Sequence, residues 1–442
     1  MPIKVETGVK GRIDWAFVFA AGGLVLMGTL AVISAASPVP YYVSIMKTHF
    51  VALAMGIAFF VFSLGFNYQI FEDQAKVLWV ATLLTLIAVL AIGTVHKGHK
   101  AWIHLGFFTF QPAELARIAN ILILAAFLDT RARKIKDFST ILIAAAISAP
   151  FMILILKQPD FSTVLTFLPI MLGMMFCAGA DIGHLLALAG YGLSAVAMPL
   201  IYTFVQFHGG NALGRFILQT SRLGTATVVV LVGMTVLCLL AWRLSVMLRM
   251  QAKAVYFVAV PIILSAGVLS GIVVNKKMKD YQRNRFVAYV APQSDTQGAA
   301  YHVRQGQIAI GSGGPFGKGL FNGTQSQLGF LPERHTDFIF SVVGEEMGFV
   351  GSLTVLLLYM LLIYRIVTIG KLARDRYGFL VCSGLATMFC FELVLNVGMN
   401  LGLMPVAGIP LPLISYGGSS LVITLWSLGI VANIYSRRYA LL

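Results

Sequence analysis

The stretch from Lys276 to Thr336 gathers eight basic side chains, Lys276, Lys277, Lys279, Arg283, Arg285, Arg304, Lys318 and Arg334, around few carboxylates. Among those carboxylates, Asp295 is the most isolated from basic neighbours. A lone carboxylate can act as a general base, and guanidinium forks suit phosphate oxygens, so the segment suits an anionic substrate. Taken alone, a loop aspartate is ordinarily a turn or capping residue, and a basic cluster equally suits anionic lipid headgroups. Further charges lie inside apolar runs, where each costs about 2.5–3.5 kcal/mol at a helix centre and so needs a partner or a task. Glu114 and Arg117 stand three apart on one helical face after Gln111-Pro112, as a neutralised pair or as part of a site. Glu345 and Glu346 follow Asp337 by about two turns, roughly 12 Å of helix rise. If both pairs face one interior, they line a polar cavity opening outward. Glu392, deeper in its run, reads as a buried hydrogen-bonding group. His335 with Glu333 offers two metal ligands without a third.

The elements that must hold these residues are membrane helices. With 58% hydrophobic and 11% charged residues over 442 positions, the composition is that of an all-α integral membrane protein, a polytopic helical bundle. Each span needs about 20 apolar residues. The apolar runs predict twelve, near 14–35, 48–65, 77–95, 112–129, 138–156, 161–178, 184–204, 223–242, 254–274, 337–364, 378–402 and 414–436. Lys and Arg concentrate in cytoplasmic loops. Lys4, Lys10 and Arg12, the loop with Arg131, Arg133, Lys134 and Lys136, the loop with Arg365, Lys371, Arg374 and Arg376, and Arg437-Arg438 thus place both termini inside. The basic segment that holds Asp295 then falls outside, a local violation of the rule that points to function. Most of the net charge of +15 is topology signal, not a nucleic-acid footprint. Cys177, Cys238, Cys382 and Cys390 all lie in predicted spans, so neither a disulfide nor a metal cluster is expected. The first apolar run lacks a small-residue cleavage site and is expected to remain as the first span.

Several blocks carry a family resemblance: GHKAWIHLGFFTFQPAELARIA (98–119), QPDFSTVL (158–165), YQRNRFVAYVAPQSD (281–295), IAIGSGGPFGKGLFNGTQSQLGFLPERHTDFIFSVVGEEMGFVG (308–351) and GIPLPLISYGGSSL (408–421). In this order they resemble the SEDS family of shape, elongation, division and sporulation proteins, and the elongation branch more than the division branch. The resemblance implies a ten-helix core and a peptidoglycan glycosyltransferase that polymerises lipid II on the outer face of the bacterial cytoplasmic membrane. It also implies a class B penicillin-binding protein as partner and Asp295 as general base. Arg283, Arg285, Lys318 and Arg334 become candidates for stabilising the departing pyrophosphate. Trp102, Glu114, Arg117, Gln158, Asp160, Gln325, His335, Ser415 and Ser419 are the further candidate substrate-binding residues. The donor linkage is α and the product β-1,4, so one inverting displacement suffices. No cofactor is required, with a divalent cation, Mg or Mn, left open. The chain lacks a recognisable transpeptidase motif, which assigns cross-linking to another protein.

The chain departs from the family pattern at three places. Asp295 is followed by Thr296-Gln297-Gly298-Ala299-Ala300-Tyr301 instead of proline and a GAGY-like run, and Arg117 stands where lysine is common. Residues 205–275 form an inserted helical hairpin whose tip is cytoplasmic by Arg243, Arg249 and Lys253, and 275–336 form the large extracytoplasmic catalytic loop of a single membrane domain. A lipid II flippase is the alternative reading. It requires polar residues along a path to both faces, whereas the charges cluster at the outer ends of the spans.

Overall fold

The computed structural model describes residues 13–96, 99–104, 109–249, 254–294 and 298–439. The helices are α1 (Trp15–Ala36), α2 (Tyr42–Gly65), α3 (Ile70–Asp73), α4 (Ala75–Ile92), α5 (Pro112–Thr130), α6 (Phe138–Lys157), α7 (Phe161–Ala178), α8 (Ile182–His208) and α9 (Ala212–Thr220). They continue with α10 (Thr225–Met247), α11 (Ala254–Lys277), α12 (Asp280–Val290), α13 (Ala299–Ser312), α14 (Thr324–Gln327), α15 (Ile339–Glu346), α16 (Gly348–Leu372), α17 (Arg376–Asn400) and α18 (Gly418–Ser436). Among the described residues, eleven helices are long and apolar enough to cross a membrane. α5 has comparable length and carries Glu114, Arg117 and Asp129, and with it the twelve predicted spans are accounted for.

Aspartates start many of these helices, because a carboxylate accepts from the first-turn amides left without intrahelical partners. Asp14 accepts from Phe17 N at 3.0 Å, Asp160 from Thr163 N at 3.1 Å, Asp181 from Gly183 N at 2.9 Å and Asp375 from Gly378 N at 2.7 Å. Pro112 opens α5 at a position where a missing N–H costs nothing.

Two features depart from the sequence reading. The run predicted as one span over 337–364 is broken at Met347–Gly348 into α15 and α16. The break has a steric cause. Gly348 has φ +67°, and a Cβ there would lie 2.2 Å from Gly317 N, so two glycine backbones touch where the helix turns. The loop before α5 contains a small antiparallel sheet, β1 (Thr94–His96), β2 (His99–His104) and β3 (Thr109–Phe110), paired in the order β1-β2-β3. Thr94 is opposite Trp102, and Ile103 opposite Phe110.

The chain comprises two compact units. The first comprises Met1–Gly179, Arg304–Leu403 and Ala407–Leu442. Its central helices are α17 and α18, with 67% and 72% of their spans buried, so most side chains on them face protein. Small residues let helices approach closely: Gly429 of α18 lies where a Cβ would be 2.9 Å from the Phe60 backbone of α2. Ala113, Ala116 and Ala119 of α5 pack with Leu86, Phe151, Ile155, Val164 and Phe167. The second unit comprises Ala180–Val303 and Met404–Val406 and holds the predicted insert. There α8 continues to His208, α9 follows, and α10 and α11 form the hairpin. Gly267 and Gly271, four apart on α11, meet Ser194 and Met198 of α8, while Tyr202, Val268 and Ile272 form a core.

The end of the first unit near α3 contains a polar knot that yields a pH prediction. Asp375 accepts from Tyr68 Oη at 2.7 Å and Gln69 Nε2 at 2.8 Å, and Asn433 joins the chain there through Tyr68 N and the carbonyls of Leu64 and Phe66. Glu72 in this loop is raised to about 7, first by burial and then by the charges of Asp129, Asp375 and Asp73. The unfolded chain releases this proton near 4.5 and the folded chain near 7, so the folded state binds more protons between those values. Stability therefore falls as pH rises from about 4.5 to about 7 and flattens above. Melting curves of the solubilised protein across this range should show the fall, and Glu72→Gln should reduce it.

Candidate functional site

Two buried polar clusters lie in the first unit. The first fastens the glycine-rich segment to α15. Glu345, with no solvent exposure, accepts from Lys318 Nζ at 3.0 Å, Thr324 Oγ1 at 3.1 Å, Gln325 N at 2.8 Å and Ser326 N at 3.0 Å. Glu346 accepts from Ser326 Oγ at 3.1 Å, Gln327 Nε2 at 3.2 Å and Phe321 N at 3.4 Å. The carbonyls of the same two glutamates accept from Lys318 N and Gly319 N, both at 3.0 Å. These glutamates therefore hold the segment 318–327 in place, where the sequence suggested a cavity lining.

Lys318 also donates to Ser312 Oγ at 2.7 Å and Thr324 Oγ1 at 2.8 Å. An ammonium has three donors, and all three are engaged within the protein, which leaves Lys318 none for a phosphate. Arg334 is likewise buried and donates from Nε to the Ala35 carbonyl at 2.8 Å and from Nη1 to the Ser326 carbonyl. In this geometry both cations brace the loop, Lys318 against α15 and Arg334 against the end of α1.

The second cluster lies between α5 and α17. Arg117 pairs through one Nη with Glu114 on its own helix and through the other with Glu392 on α17. All three are buried. Spacing predicts the first contact, and the second joins two spans far apart in sequence. Asp160, at the start of α7, accepts from Gln111 Nε2 at 3.1 Å and Thr163 Oγ1 at 2.7 Å. Gln111 N donates to Ser419 Oγ at 3.0 Å, and Ser419 Oγ donates to the Thr109 carbonyl at 2.6 Å, so the start of α18 sets the start of α5.

The remaining sites predicted from sequence distribute as follows. Ser415 Oγ donates to the Thr336 carbonyl at 2.7 Å and accepts from Leu411 N at 2.7 Å. His335 presents its ring edge to Tyr416 at 5.5 Å between centroids, and its carbonyl accepts from Tyr416 N. Gln325 is half-buried beside Glu345. Gln158 is fully buried, with Nε2 3.5 Å from the Leu86 carbonyl. Trp102 is half-buried on β2, its carbonyl accepting from Thr94 Oγ1 at 3.2 Å. Arg283 and Arg285 lie on α12 of the second unit, Arg283 exposed and Arg285 half-buried. Asp295 falls outside the described residues.

Sequence reasoning passes over Asn396 and Asn400. Their amides donate to the Asp337 carbonyl, both at 3.1 Å, and Asn396 also donates to Ile409 O at 2.8 Å. Two asparagines one turn apart within an apolar span are the available signal, because a polar group in a membrane interior needs a partner.

Apolar spans around buried ion pairs, with a polar glycine-rich loop fixed to one end of the first unit, define a multi-pass membrane protein with an internal polar site. Comparison with known proteins gives the particular kind. The family model described as "Cell cycle protein", covering FtsW, RodA and SpoVE, matches residues 12–210 and 211–440, and the chain belongs to this SEDS family. It is 35% identical over 388 residues to the peptidoglycan glycosyltransferase MrdB of Escherichia coli (strain K12), covering 87% of this chain and 84% of that one. It is 34% identical to the peptidoglycan glycosyltransferase RodA of Treponema pallidum (strain Nichols), covering 87% and 88%. Among solved structures it resembles a chain from "Structural coordination of polymerization and crosslinking by a peptidoglycan synthase complex". That match has TM-score 0.67 and 27% identity over 97% of this chain and 99% of that one. The rod shape determining protein RodA of Thermus thermophilus matches with TM-score 0.59 and 27% identity, over 97% and 98%.

Proposed function

We propose that the chain is a peptidoglycan glycosyltransferase that polymerises lipid II into glycan strands during cell elongation and maintenance of cell shape. The observation that carries this reading is the match along 87% of the chain, at 35% and 34% identity, to relatives named for that activity. It works in the bacterial cytoplasmic membrane with both termini inside and the Asp295 segment outside, an orientation supported by the distribution of Lys and Arg.

A hydroxyl of the acceptor sugar attacks the anomeric carbon of the lipid-linked donor, its proton passes to Asp295, and undecaprenyl pyrophosphate leaves with inversion. Lys318 and Arg334 brace the loop itself, and Arg283 and Arg285 are the further cations proposed to meet the diphosphate. Glu114, Arg117, Trp102, Gln158, Asp160, Gln325, His335, Ser415 and Ser419 are the first unit's candidates for contact with substrate. Among the described residues no group of three His, Cys, Asp or Glu converges as a metal cage. A divalent cation, Mg or Mn, would enter with the phosphates, the way Mg is commonly held. A class B penicillin-binding protein supplies cross-linking, a reading supported by the resemblance to a chain of a synthase complex that couples the two activities.

The test is reconstitution of the wild-type protein with purified lipid II, alone and with a class B partner. Glycan strands are the expected product. Passage of lipid II across the bilayer without strands in either condition would replace the polymerase with the flippase.

A further inference from the structure

Arg117 differs from a lysine in having two separated donor arms, and here both are in use. One Nη meets Glu114 and the other Glu392. Glu114, Arg117 and Glu392 are 5%, 4% and 1% exposed. Among the described residues, Glu392 meets Arg117 as an ion pair through Oε1, its Oε2 has no hydrogen-bond partner, and the buried Arg117 Nε has no acceptor. The guanidinium is therefore oriented by its two Nη contacts, one from its own helix and one from α17. Arg117 is the cation that Glu392 pairs with, and a lone carboxylate in the centre of α17 would be strongly unfavourable.

We propose that Glu392 is the positioning residue for Arg117, and that the two form one coupled unit. A single ammonium at position 117 would be matched by Glu114 alone. A two-armed guanidinium requires the second carboxylate from α17 to hold its plane, and that carboxylate requires the second arm. The inference rests on the polymerase reading, in which Arg117 contacts substrate.

The experiment is a double-mutant cycle in the full-length reconstituted protein with lipid II, measuring kcat and KM per folded molecule alongside melting curves. Arg117→Lys alone leaves Glu392 without its partner and should lower kcat/KM about tenfold or more, within the range of couplings seen for contacting residues. Glu392→Gln keeps an acceptor and should cause a smaller loss. The double variant, which removes the surplus carboxylate together with the second arm, should exceed Arg117→Lys alone, with the recovery in kcat. Two results would overturn the proposal: losses that simply multiply, or coupling seen only in melting temperature with wild-type kcat/KM in all variants. A wild type that yields no strands sinks the polymerase assignment itself, an outcome distinct from an active enzyme without coupling.

Discussion

Asp295→Ala and Asp295→Asn should both reduce lipid II polymerisation by about 10²- to 10⁴-fold, the contribution of a positioned general base. The proposed reaction requires one proton transfer, from the attacking hydroxyl, because pyrophosphate leaves without protonation. Losing the base removes that step and nothing replaces it. The asparagine variant separates the base from the fold, since it keeps the shape and an acceptor but cannot take the proton. Asp295→Glu keeps the carboxylate one methylene further out and should retain more activity than either. Single-turnover strand formation at saturating lipid II measures the effect directly. An Asp295→Asn protein that polymerises at the wild-type rate would remove Asp295 from the mechanism.

The features legible in the sequence are mostly local. Pro112 at the head of α5 and the spacing of Glu114 and Arg117 follow from helix geometry, so that pair is readable from residue spacing alone. Glu392 is visible in the sequence only as an isolated charge. That it completes the same cluster depends on α17 packing against α5, which no spacing encodes. The break between α15 and α16 is hidden for a similar reason. Hydropathy runs on through Met347–Gly348, while the turn is set by Gly317 touching Gly348 from a different part of the chain. In the sequence Lys318 and Arg334 are cations of a basic loop, and their partners within the fold are not visible there. Only the three acceptors around Lys318 Nζ show where its charge is used.

These pairings share one physical origin. In an interior from which water is excluded, each charge must be met by protein, so the few charges of the spans become the points that fix helices and loops to one another. Arg117 joins α5 to α17, Arg365 joins α16 to Asp14 at the head of α1 with Nε at 3.0 Å, and Glu345 joins α15 to the glycine-rich loop.

The last of these gives the second large effect. Glu345→Ala would leave the Lys318 ammonium and the amides of Gln325 and Ser326 without their shared acceptor. Breaking a buried ion pair by removing one partner costs about 3–5 kcal/mol. The spans pack through other contacts, so the loss should appear as opening of 318–327 and not as unfolding of the whole bundle. At about 1.4 kcal/mol per factor of ten, amide exchange in that segment should rise by at least about a hundredfold, and polymerisation should fall with it. Glu346 holds the same loop without a cation, through Ser326, Gln327 and Phe321, so Glu346→Ala should open it less. Hydrogen exchange on both variants decides whether charge pairing sets the order. An equal or larger opening in Glu346→Ala would mean that the Lys318–Glu345 pair is not what holds the loop to α15.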